Sequence, residues 1–148
     1  MDMKNKIIKD MARRLAYYQS KDREIDYDKL RDNLMGLLRS LPPMRLIGYK
    51  PMQHEVDPKV LTHYTVGRDL REALSTVKFV RGIMLVPMVG FNSNKYRLGH
   101  GAGFYDQLIA EARPTLTIGL VTEFRRVEFI PEPHDIKMDY IVTEKTVY

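Results

Sequence analysis

The chain has 148 residues, which suits one domain with a buried core. It contains no cysteine, so disulfides, thiolate catalysis and cysteine-based zinc sites are excluded. Lysine and arginine (24) outnumber aspartate and glutamate (19), and the net charge of +5 favours an anionic ligand but falls short of a dedicated nucleic-acid binder. Because no apolar run is long enough for a bilayer and no signal peptide is recognisable, we expect a cytoplasmic protein with no membrane partner.

The first segment is predicted to be an amphipathic helix. Its apolar residues, which recur at helical spacing, are Ile7, Ile8, Met11, Leu15 and Tyr18. Such periodicity normally marks the buried face of a helix, with basic residues on the other side. Two of the basic residues, Lys9 and Arg13, are four positions apart, so both can reach one ligand. Taken alone, a charge run of this kind more often indicates a solvated helix face.

Helices and strands then alternate along the chain. The apolar pattern predicts a second helix over Asp26–Leu41 and a short buried strand over Met44–Tyr49, followed by a loop that carries Glu55. Helical segments are expected over Pro58–Tyr64, which opens on a proline, and over Arg68–Ser75.

Three further apolar segments read as strands, at Gly82–Pro87, Thr117–Thr122 and Tyr140–Thr143. Strands that alternate with helices indicate an α/β fold with a mostly parallel sheet and flanking helices. Ligands in such sheets bind beyond the carboxyl ends of the strands. We therefore expect the site at that edge.

The segment YRLGHGAGFYD, residues 96–106, is the strongest candidate for a binding site. Its three glycines are Gly99, Gly101 and Gly103, and we call residues 99–103 the glycine loop. The loop runs into a predicted helix over Phe104–Ala112, so its backbone amides and the helix dipole can meet a phosphate together with Arg97. Asp106, on the first turn of that helix, can hold a metal ion. The spacing is neither that of a Walker loop nor that of a dinucleotide fingerprint.

Two longer runs carry a resemblance to a known family. VPMVGFNSNKYRLGHGAGFYD and TIGLVTEFRRVEFIPEPHDIKMDYIVTE, with REALS and EVD upstream, resemble the 5-formyltetrahydrofolate cyclo-ligases, also called methenyltetrahydrofolate synthetases. The resemblance covers most of the chain and implies a Rossmann-like cyclo-ligase fold. It also implies ATP- and Mg²⁺-dependent formation of 5,10-methenyltetrahydrofolate from the 5-formyl compound, through phosphorylation of the formyl oxygen.

The resemblance further implies roles for particular residues. ATP would be held by Lys9, Arg13, Arg97, Leu98, Gly99, His100, Gly101, Ala102, Gly103, Phe104 and Tyr105. The folate would be bound by Glu55, Phe104 and Tyr105. Asp106 and Asp135 would hold Mg²⁺, and Arg97 with Asp106 would be the catalytic residues. Taken alone, Asp135 and its neighbour His134 more often form a turn, and Phe104 is expected to be a core residue.

The chain departs from the family in one large respect. Only 24 residues separate Asp57 from Gly82, where family members carry a helix, another sheet strand and a segment that helps to enclose the folate. We therefore expect one strand fewer than usual and an opened pocket. An exposed sheet edge is rarely left bare, so we also expect a homo-oligomer, most simply a two-fold dimer.

Three hypotheses remain from the sequence. The first is an active, compact cyclo-ligase. The second is a nucleotide-binding regulatory pseudoenzyme, or a relative that acts on another small substrate. The third is a nucleic-acid-binding module that uses the basic first helix. It is ranked last because few stacking aromatics accompany the charge.

Overall fold

The computed structural model describes residues 3–61, 81–101 and 103–148. Its helices are α1 (Met3–Ser20), α2 (Tyr27–Ser40), α3 (Pro58–Leu61) and α4 (Phe104–Ala112), with a 3-10 turn at Glu123–Arg125. Its strands are β1 (Leu46–Ile47), β2 (Ile83–Pro87), β3 (Gly90–Phe91), β4 (Arg97–Leu98), β5 (Leu116–Leu120) and β6 (Tyr140–Val142). Among these described helices, none combines the length and the apolar character needed to cross a membrane.

Four of the strands form a parallel sheet in the order β1-β2-β5-β6. This confirms the predicted α/β class, and each of these four strands overlaps a predicted one while being shorter. The predicted helical segment Arg68–Ser75 and the end of the segment Pro58–Tyr64 lie outside the described residues. The expected shortage of one strand concerns the same region and stays a prediction.

Strand β2 is the centre of the core, and all its residues are buried. Ile83 and Leu85 pack on one face of the sheet with apolar residues of α2. Met84 and Val86 pack on the other face with apolar residues of α4. Helices therefore cover both faces of the parallel sheet, which explains why its strands are continuous apolar runs.

A short antiparallel hairpin, β3–β4, was not predicted from the sequence. Asn92 closes its turn: the Oδ1 atom accepts hydrogen bonds from the backbone N–H groups of Asn94 (3.0 Å) and Tyr96 (3.1 Å). Its Nδ2 atom donates to the carbonyl of Phe129 (3.3 Å). Because β4 leads directly into the glycine loop, this turn fixes where the loop begins.

Helix α1 is amphipathic as predicted, but the prediction of its buried face is wrong. Met11, Leu15 and Tyr18 are 62, 49 and 75% exposed, whereas Ala12 and Ala16 are buried. The two alanines pack with apolar residues of the hairpin region. Small side chains let the helix lie close to this layer, and the polar residues on the same face reach the site described below.

Gly82, just before β2, occupies a position that only glycine suits. Its φ is 134°, and a Cβ there would lie 2.5 Å from the carbonyl oxygen of Arg45, which also accepts the Ile83 N–H (2.8 Å). We expect Gly82→Ala to lower the free energy of unfolding by about 2 kcal/mol or more. Gly36→Ala, in α2 with open space around it, should instead raise it by about 0.5–1 kcal/mol. Urea unfolding of both variants distinguishes these effects, and an unchanged midpoint for Gly82→Ala would contradict the first.

Candidate active site

A cleft of about 310 Å³ opens at the edge of the sheet where β1 and β2 end. Its walls are the loop after β1, the end of β2, the glycine loop and the start of α4. The predicted site residues that line it are Glu55, Arg97, Gly99, His100, Gly103, Phe104 and Tyr105. Folding therefore brings most of the predicted folate and phosphate residues to one place, at the expected edge of the sheet.

The glycine loop has the backbone conformation of a phosphate cradle. Gly101 and Gly103 have φ values of 110° and 68°, which side chains of L-residues rarely allow. Within the part of the chain that the structure describes, the N–H groups of the three loop glycines donate to no protein acceptor. They lie beside the N-terminus of α4, so both can attract an anion. Ala102, also predicted to contact ATP, lies outside the described residues.

Arg13 ties helix α1 to the glycine loop. Its Nε atom donates to the carbonyl of Gly99 (2.6 Å), and its Nη1 atom donates to the carboxylate of Asp10 (2.6 Å). The guanidinium also lies close to Gly101, because a Cβ added to Gly101 would be 3.8 Å from it, in van der Waals contact. The structure thus places this predicted ATP residue directly against the loop.

Arg97 is held at the base of the cleft. Its Nε and Nη2 atoms donate to the carbonyl of Pro87 (3.3 and 3.0 Å), and its guanidinium lies 5.1 Å from the ring centre of Tyr105. A Cβ at Gly99 would come within 3.0 Å of this guanidinium, which explains the glycine there. Burial lowers the pKa of Arg97, while the nearby charge of Asp106 opposes that shift. The group is a partly buried cation that is held in place by these contacts.

Glu55 faces the cleft from the loop after β1, and only a tenth of its side chain is exposed. Its Oε1 atom accepts the N–H of Met52 (2.7 Å), and its Oε2 atom lies 3.9 Å from Nε2 of His100 in the glycine loop. The two residues therefore join opposite walls of the cleft. Buried Tyr49, which sequence reasoning missed, donates to the carbonyl of Val56 (2.6 Å) and so fixes this loop.

Lys9 is not part of a solvated helix face, because only 6% of it is exposed. Its Nζ atom donates to Oε1 of Glu132 (2.9 Å) and to Oδ2 of Asp135 (2.8 Å). Burial lowers the pKa of Lys9, but hydrogen bonds and charges from the two carboxylates outweigh this and raise the pKa above its ordinary value. Sequence reasoning missed Glu132; its only signal was a second carboxylate within PEPHD.

Carboxylates gather next to this ion pair. Asp106 accepts the N–H of Ile136 at Oδ1 (3.4 Å), and burial raises its pKa against the opposing charge of Arg97. The charge of Asp135 raises this pKa further. The ligand atoms of Glu132, His134 and Asp135 lie within 4.8 Å of one another. Asp106 is not part of this cluster, but its charge and that of Asp135 interact. The oxygen atoms of these two carboxylates are of the kind that Mg²⁺ takes as ligands.

The aromatic residues that begin α4 differ in their surroundings. The expectation that Phe104 is a core residue is wrong, because the residue is 37% exposed and lines the cleft. Tyr105 packs partly against the sheet, with its ring edge-to-face to Phe104 at 5.4 Å. Leu98 is buried beside α1, so any contact of this residue with ATP would involve its backbone.

Comparison with known proteins agrees with this geometry. The sequence model of the 5-formyltetrahydrofolate cyclo-ligase family matches residues 3–144. The 5-formyltetrahydrofolate cyclo-ligase of Mycoplasma pneumoniae is 26% identical over 155 positions, which cover 91% of this chain and 94% of the relative. Because 155 positions exceed the 148 residues of the chain, the relative has residues without a counterpart here.

Two solved structures share the fold. A 5,10-methenyltetrahydrofolate synthetase from Mycoplasma pneumoniae aligns with a TM-score of 0.68 and 22% identity, over 92% of this chain and 98% of that one. The synthetase of Aquifex aeolicus aligns with a TM-score of 0.62 and 24% identity, over 95% and 91%. Fold, cleft and sequence match together define an enzyme of the ligase class. The chain belongs to the 5-formyltetrahydrofolate cyclo-ligase family.

The raised pKa of Asp106 predicts a measurable cost to stability. The native state binds the proton of Asp106 more tightly than the unfolded chain does. The contribution of Asp106 to stability therefore falls as the pH rises from the pKa of this carboxyl in the unfolded chain through its raised pKa in the native state. At neutral pH the ionised carboxylate therefore destabilises the ligand-free fold. We expect Asp106→Asn to raise the Tm at pH 7, and to lose this advantage in acid, where the native carboxyl is protonated.

Thermal unfolding across this pH range measures the effect. Asp32→Asn, on the exposed side of α2, is the matched control and should change the Tm little at either pH. A lower Tm for Asp106→Asn at pH 7 would show that the carboxylate stabilises the fold instead.

Proposed function

We propose that the protein converts 5-formyltetrahydrofolate to 5,10-methenyltetrahydrofolate with consumption of ATP. The observation that carries this proposal is the single cleft in which Glu55 faces Arg97 and the glycine loop. Membership of the cyclo-ligase family supports the substrate class. A cytoplasmic location is part of the proposal, because a chain without cysteine suits a reducing compartment.

The reaction has two steps. In the first, the formyl oxygen attacks the γ-phosphorus of ATP, the bond from phosphorus to the bridging oxygen breaks, and ADP leaves. In the second, the folate nitrogen that does not carry the formyl group attacks the activated formyl carbon. The phosphate leaves with the former formyl oxygen, and the attacking nitrogen gives up its proton. Such chemistry depends on positioning and on neutralisation of charge rather than on a nucleophilic side chain.

The residues that line the cleft, together with Arg13 behind the glycine loop, suit these needs. The loop amides and Arg13 would bind the phosphates, and Arg97 would neutralise charge at the transferred group. Arg97 uses Nε and Nη2 for the carbonyl of Pro87, and its Nη1 atom donates to no acceptor in the described residues. Glu55 would accept hydrogen bonds from the folate head group, while Phe104 and Tyr105 would cover its rings and exclude water.

Magnesium would be held by Asp106 and Asp135. When bound, Mg²⁺ supplies positive charge that neutralises the polyphosphate. Lys9, bonded to Oδ2 of Asp135, keeps that carboxylate oriented and adds a second cation nearby. Glu132 in turn positions Lys9. The donor set is therefore anchored from α1 as well as from its own loop.

The proposal is tested by the absorbance of the methenyl product in the presence of ATP and magnesium. Glu55→Gln keeps an oxygen for the Met52 N–H but removes the charge that the folate head group would meet. We expect kcat/KM for the folate to fall about ten- to hundredfold, the value of a hydrogen bond to a charged group. Glu128→Gln, on the exposed surface, is the matched control and should behave like the unaltered protein.

Nucleotide binding is tested separately. Mg-ATP should stabilise the fold by about 2.7 kcal/mol at one hundred times its Kd, seen as a higher Tm. Absence of any shift at millimolar nucleotide would contradict the phosphate role of the glycine loop. Arg97→Ala should weaken ATP binding and also lower stability, because the carbonyl of Pro87 loses its buried donors.

The two other hypotheses from the sequence are a regulatory or altered-substrate relative and a nucleic-acid-binding module. ATP binding without methenyl product, together with an unaltered Glu55→Gln variant, would support a regulatory nucleotide-binding protein or a ligase of another substrate. A nucleic-acid-binding role has less support, because the structure uses Lys9 and Arg13 for internal contacts at the site.

A further inference from the structure

The outer face of α1 carries an apolar stripe that nothing in the described part of the chain covers. Its members are Met3 (70% exposed), Ile7 (52%), Met11 (62%), Leu15 (49%) and Tyr18 (75%). Spacings of four, four, four and three residues place them on one side of the helix. They are five of the eleven large apolar side chains that are exposed among the described residues, so the exposure is concentrated here.

The helix cannot rotate to bury this stripe. On the opposite face, Lys9 is bonded to Glu132 and Asp135, and Arg13 is bonded to the carbonyl of Gly99. Rotation would break these contacts and leave a buried carboxylate pair without its cation, which is strongly unfavourable. The polar contacts of the site thus force the apolar side of α1 outward.

We propose that this stripe is the interface with a second copy of the chain, in an antiparallel helix pair whose two-fold axis passes near Met11. The stripe is nearly symmetric about that residue. The axis places Ile7 of one copy opposite Leu15 of the other and Met3 opposite Tyr18, as an isologous interface requires. The proposal concerns assembly and does not depend on the catalytic reaction.

The charges on this face favour the antiparallel arrangement. Arg14, an exposed cation, lies within the stripe by helical spacing. In a parallel pair Arg14 would face its own copy, and the like charges would repel. In the antiparallel pair the two Arg14 side chains lie on either side of the axis, and each comes opposite apolar residues of the other copy.

The area is adequate for a stable dimer. The stripe runs for roughly 22 Å along the helix. Each of its half-exposed large side chains offers on the order of 100 Å², judged from the 150–250 Å² that an aromatic side chain buries. Five such side chains supply more than half of the about 800 Å² per partner in a standard interface, and flanking residues supply the rest.

The first experiment is light scattering over a range of concentrations. The unaltered protein should approach the mass of two 17.3-kDa chains at high concentration. Met11→Glu would bring two carboxylates together at the axis and should raise the dissociation constant at least roughly a hundredfold. Ile130→Glu, at an exposed apolar residue outside the stripe, is the matched control and should leave the dimer intact.

A second experiment tests the register. Ile7→Lys and Leu15→Glu should each weaken the dimer, and the double variant should restore it, because lysine then faces glutamate in both halves of an antiparallel pair. In a parallel pair the double variant would stay monomeric. Circular dichroism at low concentration verifies that each variant is folded.

Three outcomes would overturn the proposal. They are a monomer at every concentration, equal effects of Met11→Glu and Ile130→Glu, and a double variant that does not recover. Co-flotation of a monomeric protein with anionic vesicles, lost in Met11→Glu, would assign the stripe to a membrane surface instead.

Discussion

The ammonium of Lys9, held between Glu132 and Asp135, is the interaction on which the arrangement of the site depends. It joins the first helix to a loop more than 120 residues later. Each partner is largely buried, so none of the three charges can be removed without leaving the others poorly solvated. The ion pair thereby holds the N-terminal helix against the C-terminal part of the chain, next to the place where the ligands would bind. The same contact sets the rotation of α1 and brings Arg13 to the glycine loop.

The sheet could be predicted from the sequence because its strands are continuous apolar runs. Strand β2 is buried on both faces, as is typical of a parallel strand between two helical layers. The hairpin β3–β4 could not be predicted in this way. Each of its strands has two residues, and the turn depends on hydrogen bonds of Asn92 to distant and local backbone. A pattern of period two cannot appear in segments so short.

The error about α1 has a different cause. Periodicity identifies an amphipathic helix, but it does not say which face the fold buries. Here Ala12 and Ala16 permit close approach, and three polar contacts on the same face outweigh the larger apolar side chains opposite. The site residues were found through their motifs. Glu132 was missed because its partner Lys9 is 123 residues away in the sequence, and Tyr49 was missed because a hydrogen bond to the backbone carbonyl of Val56 leaves no sequence motif.

Pro87 shows how the end of one strand can shape a cleft. The N–H of Ile83 points towards the β1 side of the sheet, where it donates to Arg45, so by alternation the backbone of Pro87 points to the same side. Proline offers no donor there, and Arg97 occupies its carbonyl. The ladder between β1 and β2 has already ended where Ile47 pairs with Met84, and at Pro87 neither backbone group is available to resume it. The cleft lies between the end of β2 and the loop that follows β1. A strand edge without a free donor or acceptor cannot pair with that loop, so the imino acid protects the cleft from closure by further sheet pairing.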